Sequence, residues 1–362
     1  MISYAYDKVG QITEIKDPAG VCTCYEYDIL GRRSRIYNDD GLEVCYGYDA
    51  LNRISHIRYG NGVETAYAYD GDGNISSLET KAGENVLLSF AYQYDGNGNR
   101  TAKTGTQVGA AIEGITAGNN ALDISYHYDV RGQLLEERRN GVSVCYSYDK
   151  AGNRVRKTDA KGATLYRFNG KNQLIETENH DGKNQFTYDR QGGIVEEKNA
   201  RGIRLFSYNS RHQQTKVETE SGNVQENRYD VENLRFELLE NGRQTSFVYY
   251  NGELLHEEGR EERQTSYHLG VGIDAFRRKQ QTYYYQQDEQ LSTAFITDEQ
   301  GIVQNSYLYD AFGYMLDSKE RIANRILYAE QQYDNLAERY YLRARHYNPA
   351  LSRFMQEDIC QS

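Results

Sequence analysis

Tyr-Asp pairs begin at Tyr6, Tyr27, Tyr48 and Tyr69, three successive spacings of 21 residues. Another begins at Tyr94. After an interruption the pairs resume at Tyr128 and Tyr148, and Phe168-Asn169, Tyr188-Asp189, Tyr208-Asn209 and Tyr229-Asp230 continue at spacings of 20 or 21. Self-similarity at a fixed period of this length marks a repeat architecture. A second aromatic usually stands two residues earlier, at Tyr4, Tyr25, Tyr46, Tyr67, Tyr92, Tyr126, Tyr146, Tyr166, Phe186 and Phe206. Residues i and i+2 share one face of a strand and not one side of a helix, so the period predicts strands that present paired aromatics.

Each pair runs into a turn with an identifiable mechanism. Asp7-Lys8-Val9-Gly10, Asp28-Ile29-Leu30-Gly31 and Asp149-Lys150-Ala151-Gly152 place Asp first and Gly fourth. Asp at the first position accepts hydrogen bonds from the turn backbone, and Gly at the fourth tolerates positive φ. Where Gly is absent, the fourth position holds Asn52 (after Asp49), Asn172, His212 or Asn233, types enriched in the left-handed region. A second turn follows about ten residues later, as in Asp17-Pro18-Ala19-Gly20, Asn61-Gly62, Asn140-Gly141, Lys161-Gly162, Asp181-Gly182 and Asn241-Gly242. Such dipeptides between alternating segments are hairpin signals. One repeat is thus strand, Asp-x-x-Gly turn, strand, Gly turn. It cannot bury a face alone, and stacking on its neighbours makes the core.

Composition decides whether this pattern can hold a fold. Leu, Ile, Val and Phe make up only about a fifth of the chain, which with a net charge of −11 touches the border of disorder. The 34 tyrosines supply the missing apolar area; each buried ring contributes on the order of 4 kcal/mol at most. The acidic balance argues against nucleic acid and anionic membranes as partners. No apolar run is long enough to span a membrane. Met1-Ile2-Ser3-Tyr4 enters the first repeat directly, so no signal peptide is expected in this chain. The cysteines show no CxxC or Cys/His ligand spacing, so no metal and no cofactor is expected. Cys24, Cys45 and Cys145 each precede the first Tyr of a Tyr-x-Tyr-Asp unit, reading as small packing residues on the opposite face, with a Cys24–Cys45 bridge open as an alternative.

The repeat breaks between Asn99 and Asp123, where the small, polar stretch from Thr104 to Ala111 and Ala117-Gly118-Asn119-Asn120 read as a loop or edge excursion. These residues set a division into a repeat array over 1–260, with an irregular insertion at about 100–123, and a C-terminal segment over 261–362. In the latter, Tyr283-Tyr284-Tyr285, Tyr309-Asp310-Ala311-Phe312-Gly313 and Tyr341-Leu342-Arg343-Ala344-Arg345-His346-Tyr347-Asn348-Pro349 depart from the 21-residue period, as a terminal cap does.

Through these blocks and the repeats before them, the chain resembles the RHS/YD-repeat family with its C-terminal RHS-associated core, similar to the encapsulating component of insecticidal Tc toxins. The resemblance implies an all-β fold, a YD-repeat hairpin array forming a twisted spiral sheet that is part of a shell. In that family such arrays enclose a C-terminal toxin, and the core is tied to aspartate-dependent self-cleavage. The implied partners are a C-terminal toxin domain or the remaining shell repeats of a larger protein, in a secreted or cell-surface bacterial setting. The core resemblance stops at Asp358, before the segment that would hold a scissile bond, so self-cleavage is expected to be incomplete.

No HExxH, G-x-S-x-G or P-loop pattern occurs. Asp358 and Arg345 are the weak catalytic candidates, and the chain is expected not to be an enzyme. The residues expected to carry the repeat are Tyr6, Asp7, Gly10, Tyr27, Asp28, Gly31, Tyr48, Asp49, Tyr148, Asp149 and Gly152. The expected role is a non-enzymatic shell segment. The alternative is a surface adhesion or carbohydrate-binding array whose exposed tyrosine rows contact glycans.

Overall fold

The structure, a computed structural model, describes residues 1–108, 119–259 and 264–357. Thirty strands join one antiparallel sheet, and Gln332–Asp334, Arg339–Leu342, Arg345–Asn348 and Arg353–Phe354 form a second, smaller one. The fold is all-β. Among the described residues the one helical element is the single turn Tyr328–Glu330.

Each hairpin is built the same way. Asp7 Oδ1 accepts the amides of Val9 and Gln11, both at 2.9 Å, while Gly10 sits at φ 87°. Asp28 does the same for Leu30 and Arg32 with Gly31 at φ 77°, and Asp149 for Ala151 and Asn153 with Gly152 at φ 87°. Asp49 caps Leu51 and Arg53, and there Asn52 takes the left-handed conformation, as do Asn172, His212 and Asn233 in their turns. In the second turns, Asn140-Gly141 and Asn241-Gly242 have positive φ at both positions, the type I′ geometry that matches strand twist. The capped turns run on beyond residue 261, at Asp288, Asp298 and Asp310.

Register shows a feature that the aromatic period hides. Ala5 faces Glu14 but Tyr6 faces Ile12, leaving Thr13 unopposed on the returning strand. The same skip separates Glu26/Arg35 from Tyr27/Arg33, Gly47/His56 from Tyr48/Ile54, and Ser147/Arg156 from Tyr148/Arg154. A β-bulge beside these Tyr-Asp turns bends the hairpin and raises its twist.

The two aromatics of a unit have different fates. The first is buried in most units: Tyr25, Tyr46, Tyr92, Tyr126, Tyr146, Tyr166, Phe186 and Phe206 all lie in the core, whereas Tyr67 is half-buried and Tyr4 is exposed. The second stays half-exposed and donates its hydroxyl to a backbone carbonyl of the preceding hairpin. Tyr27 reaches Ile12 at 2.8 Å, Tyr48 reaches Arg33 at 2.6 Å, Tyr69 reaches Ile54 at 2.7 Å and Tyr148 reaches Leu134 at 2.9 Å. Tyr188, Tyr208 and Tyr229 repeat the contact at 2.8 Å. Tyr6, in the first hairpin, is 59% exposed.

One expectation needs correction. Thr104 to Val108 is not loop: it belongs to the strand Arg100–Val108, and Asn119-Asn120 open the strand Asn119–Tyr128. The threonines suit a pleated surface. Gln107, buried, donates to the Tyr307 carbonyl at 2.8 Å, a partner 200 residues away that local composition could not reveal. Residues 109–118 lie outside the described residues.

The chain divides into two compact units, one of residues 1–91, 106–120 and 244–331 and one of 92–105, 121–243 and 332–362. In the first, early repeats bond to late strands. Asn61 Nδ2 donates to Thr297 Oγ1 at 2.8 Å and to the Asp298 carbonyl at 2.7 Å, and the rings of Tyr59 and Tyr284 meet edge to face at 5.8 Å. In the second, the aromatic row of the middle repeats is covered by the small C-terminal sheet.

Candidate functional site: the buried cluster under the C-terminal segment

In the second unit, Tyr166, Leu174, Phe186, Ile194, Phe206 and Val217 of the repeats pack with Ala337, Leu351 and Met355 of the C-terminal segment. Arg154 fastens the segment from below, donating to Ser352 Oγ at 2.9 Å and to the Leu351 carbonyl at 3.0 Å. Arg353 reaches back to the Asn172 carbonyl at 3.0 Å, and its guanidinium lies over the Phe168 ring.

Charge is buried at the centre of this contact. Arg235 and Asp334 pair at 2.6 Å with neither side chain exposed. Asp334 also accepts Gln225 Nε2 at 3.1 Å, and His346 Nε2 stands 3.9 Å away. Arg235 continues to Gln332 Oε1 at 3.0 Å and stacks on Tyr341, whose hydroxyl accepts the Arg235 amide at 2.8 Å. Arg339 lies 3.8 Å over the Phe206 ring and donates to Gln214 at 3.1 Å. Burial pushes the His346 imidazole down to about 3, which keeps it neutral near pH 7, and burial likewise lowers Arg339.

This arrangement locks a segment in place. A carboxylate already neutralised by Arg235 is a poor general base, and an aspartate dyad needs a second carboxylate about 3 Å away. Of the two catalytic candidates, Asp358 lies outside the described residues. Arg345 is half-buried in the strand Arg345–Asn348 with its guanidinium 3.8 Å over the Phe354 ring.

The first unit holds a cluster that sequence spacing missed. His256 Nδ1 and Asp17 Oδ2 are 2.9 Å apart, Ser266 Oγ donates to the same carboxylate oxygen, and all three are buried. Burial would raise the Asp17 carboxyl, but the bonds from His256 and Ser266 together hold it below its ordinary value. A nucleophilic triad places Ser and Asp on opposite imidazole nitrogens. Here both approach Nδ1, and Asp17 caps the Val21 amide as well, so the trio bolts the first repeat to the strand pair Glu253–Gly259 and Gln264–Leu269. In the same unit, Tyr46 donates to Asp274, and Glu330 accepts the backbone amide of Ile273 and the side-chain amide of Gln287. Burial raises both carboxyls, Asp274 to about 6 and Glu330 to about 7. No local motif announces these contacts, because their partners lie more than 200 residues apart in the chain for Asp17 and Tyr46.

The repeat residues form a ladder from turn to turn. Arg32 pairs with Asp28 at 2.6 Å, donates to Asn52 Oδ1 of the next turn at 2.8 Å and lies over the Tyr48 ring. Gln11 reaches the Gly31 carbonyl, and Asn153 reaches Asn172. Cys24 and Cys45 are free thiols, not a bridge.

The teneurin YD-shell model matches residues 1–94 and 106–362. Among solved structures, a chain of the Photorhabdus luminescens Tc holotoxin pore superposes with a TM-score of 0.55 at 14% identity, covering 99% of this chain and 19% of that one. TcdB2-TccC3 matches with a TM-score of 0.49 at 13% identity, over 99% of this chain and 24% of that one. The first likeness shows the fold. The chain thus spans about a fifth to a quarter of the length of these solved chains. No curated protein matches it.

Proposed function

The chain belongs to the teneurin YD-shell family, and we propose that it is a wall segment of a β-sheet shell that encloses or presents a C-terminal toxin, catalysing no reaction itself. The observation that carries the proposal is the regular linkage of hairpin to hairpin. One tyrosine hydroxyl, one capped Asp turn and one bulge recur from repeat to repeat, so the same joint can be propagated into a continuous curved wall. The similar Photorhabdus luminescens chain is part of a holotoxin, which supports the same reading. The partners are then a toxin domain or further shell repeats of a larger protein, and the setting is secreted or on the cell surface of a bacterium.

The adhesion reading asks for open tyrosine faces along the array. Instead the first aromatic is in the core in most units, Tyr4 and Tyr67 apart, and the second in most units has its hydroxyl bonded to a neighbouring carbonyl, which leaves little repeating aromatic surface for a sugar.

Limited proteolysis of the natural gene product tests the proposal. A toxin domain enclosed by that product should resist protease until the shell unfolds. Its digestion at the rate of the same polypeptide made alone would overturn the reading. Intact mass over days of incubation tests the second half: the chain of 362 residues should keep its mass, and a fragment lost in Asp358→Asn would make the core an active protease.

A further inference from the structure

Cys22 and Cys24 lie on one strand, two residues apart, and so on one face. That face is opposite the buried Thr23 and Tyr25, so both thiols are only half-buried. Their sulfurs are 3.6 Å apart. The neighbouring strand Ile12–Lys16 places Glu14 directly across from Cys24 in the ladder. The carboxylate oxygen and both sulfurs all lie within 4.8 Å of one another.

We propose that Glu14, Cys22 and Cys24 form a site for a borderline-soft divalent cation of the zinc class, with the fourth position left to water or an outside ligand. The geometry fits the ion. Zn–S bonds near 2.3 Å at tetrahedral angles place two thiolates about 3.7 Å apart, and the sulfurs already stand at 3.6 Å. The carboxylate needs only a side-chain rotation, because the backbone register fixes its strand beside the thiols. Two sulfurs with one oxygen select zinc or cadmium over magnesium or calcium, which take oxygen alone.

Zinc binds thiolates, so loading the site releases the thiol protons into solvent. Sequence spacing alone hid the site: Cys-x-Cys is not a usual ligand pattern, and the third donor comes from the preceding strand.

Cobalt(II) titration of the reduced full chain is the test. One equivalent should produce a thiolate-to-cobalt charge-transfer band in the near ultraviolet, and added zinc should bleach it. Cys22→Ser and Cys24→Ser should each abolish the band, and Glu14→Gln should weaken binding by about tenfold or more. Cys45→Ser should leave it intact. A wild-type titration without the band overturns the proposal, and so does a band that survives in both Cys22→Ser and Cys24→Ser. Circular dichroism of the variants, unchanged in the absence of metal, separates lost ligands from lost fold.

Discussion

At the scale of single residues, the left-handed turn position and the second tyrosine carry the repeat. Gly31 stands at φ +77°, and a Cβ there would come within 3.1 Å of Gln11 Nε2, which itself bonds the Gly31 carbonyl. Gly31→Val should therefore cost about 1–3 kcal/mol. Gly71→Ala, at an open position of ordinary backbone, should be close to neutral. Equal midpoints in a urea series would contradict the turn assignment. Tyr48→Phe removes only the hydroxyl that holds the Arg33 carbonyl and should cost about 1 kcal/mol. Sequence periodicity made the turn chemistry legible, since Asp and Gly types report backbone needs directly. It did not separate the two tyrosines of a unit, because their difference depends on which hairpin lies next door. Nor did it find the bulge, which adds the same unopposed residue to the returning strand of repeat after repeat and so leaves the period unchanged.

At the scale of elements, distant strands are bolted by buried charge. Removing one partner of the Arg235–Asp334 pair leaves an uncompensated ion with no exposure, so Asp334→Asn should destabilise by about 3–5 kcal/mol. Hydrogen exchange should show the loss first in Arg339–Leu342 and Arg345–Asn348, and unchanged protection there would sink the lock. The Asp274–Glu330 pair predicts a pH effect. Unfolded carboxyls lose their protons near pH 4, while the folded ones hold theirs to about 6 and about 7. Between those values the native state binds more protons, so their contribution is present in mild acid and falls as pH rises towards 7. The size is on the order of 3 kcal/mol for each group. Thermal melts from pH 4.5 to 7.5 should show that slope in the wild type and its loss in Asp274→Asn with Glu330→Gln. A variant with the same slope would refute the assignment. These contacts were not legible in the sequence, because a lone Asp or Glu among scattered ones carries no mark of a partner as far as 99 residues away along the chain.

At the scale of the whole molecule, the family and the all-β architecture followed from the repeat and from the order of the C-terminal blocks. The covering of the aromatic row in the second unit by the C-terminal sheet did not, since no periodicity links Leu351 and Met355 to Phe186 and Phe206. The natural gene product should build a hollow shell with this chain in its wall. Electron cryomicroscopy of that product tests it most directly. A closed wall of stacked hairpins is expected, with residues of this chain traceable in it and additional density for cargo inside. An open, extended ribbon with no enclosed density would contradict it.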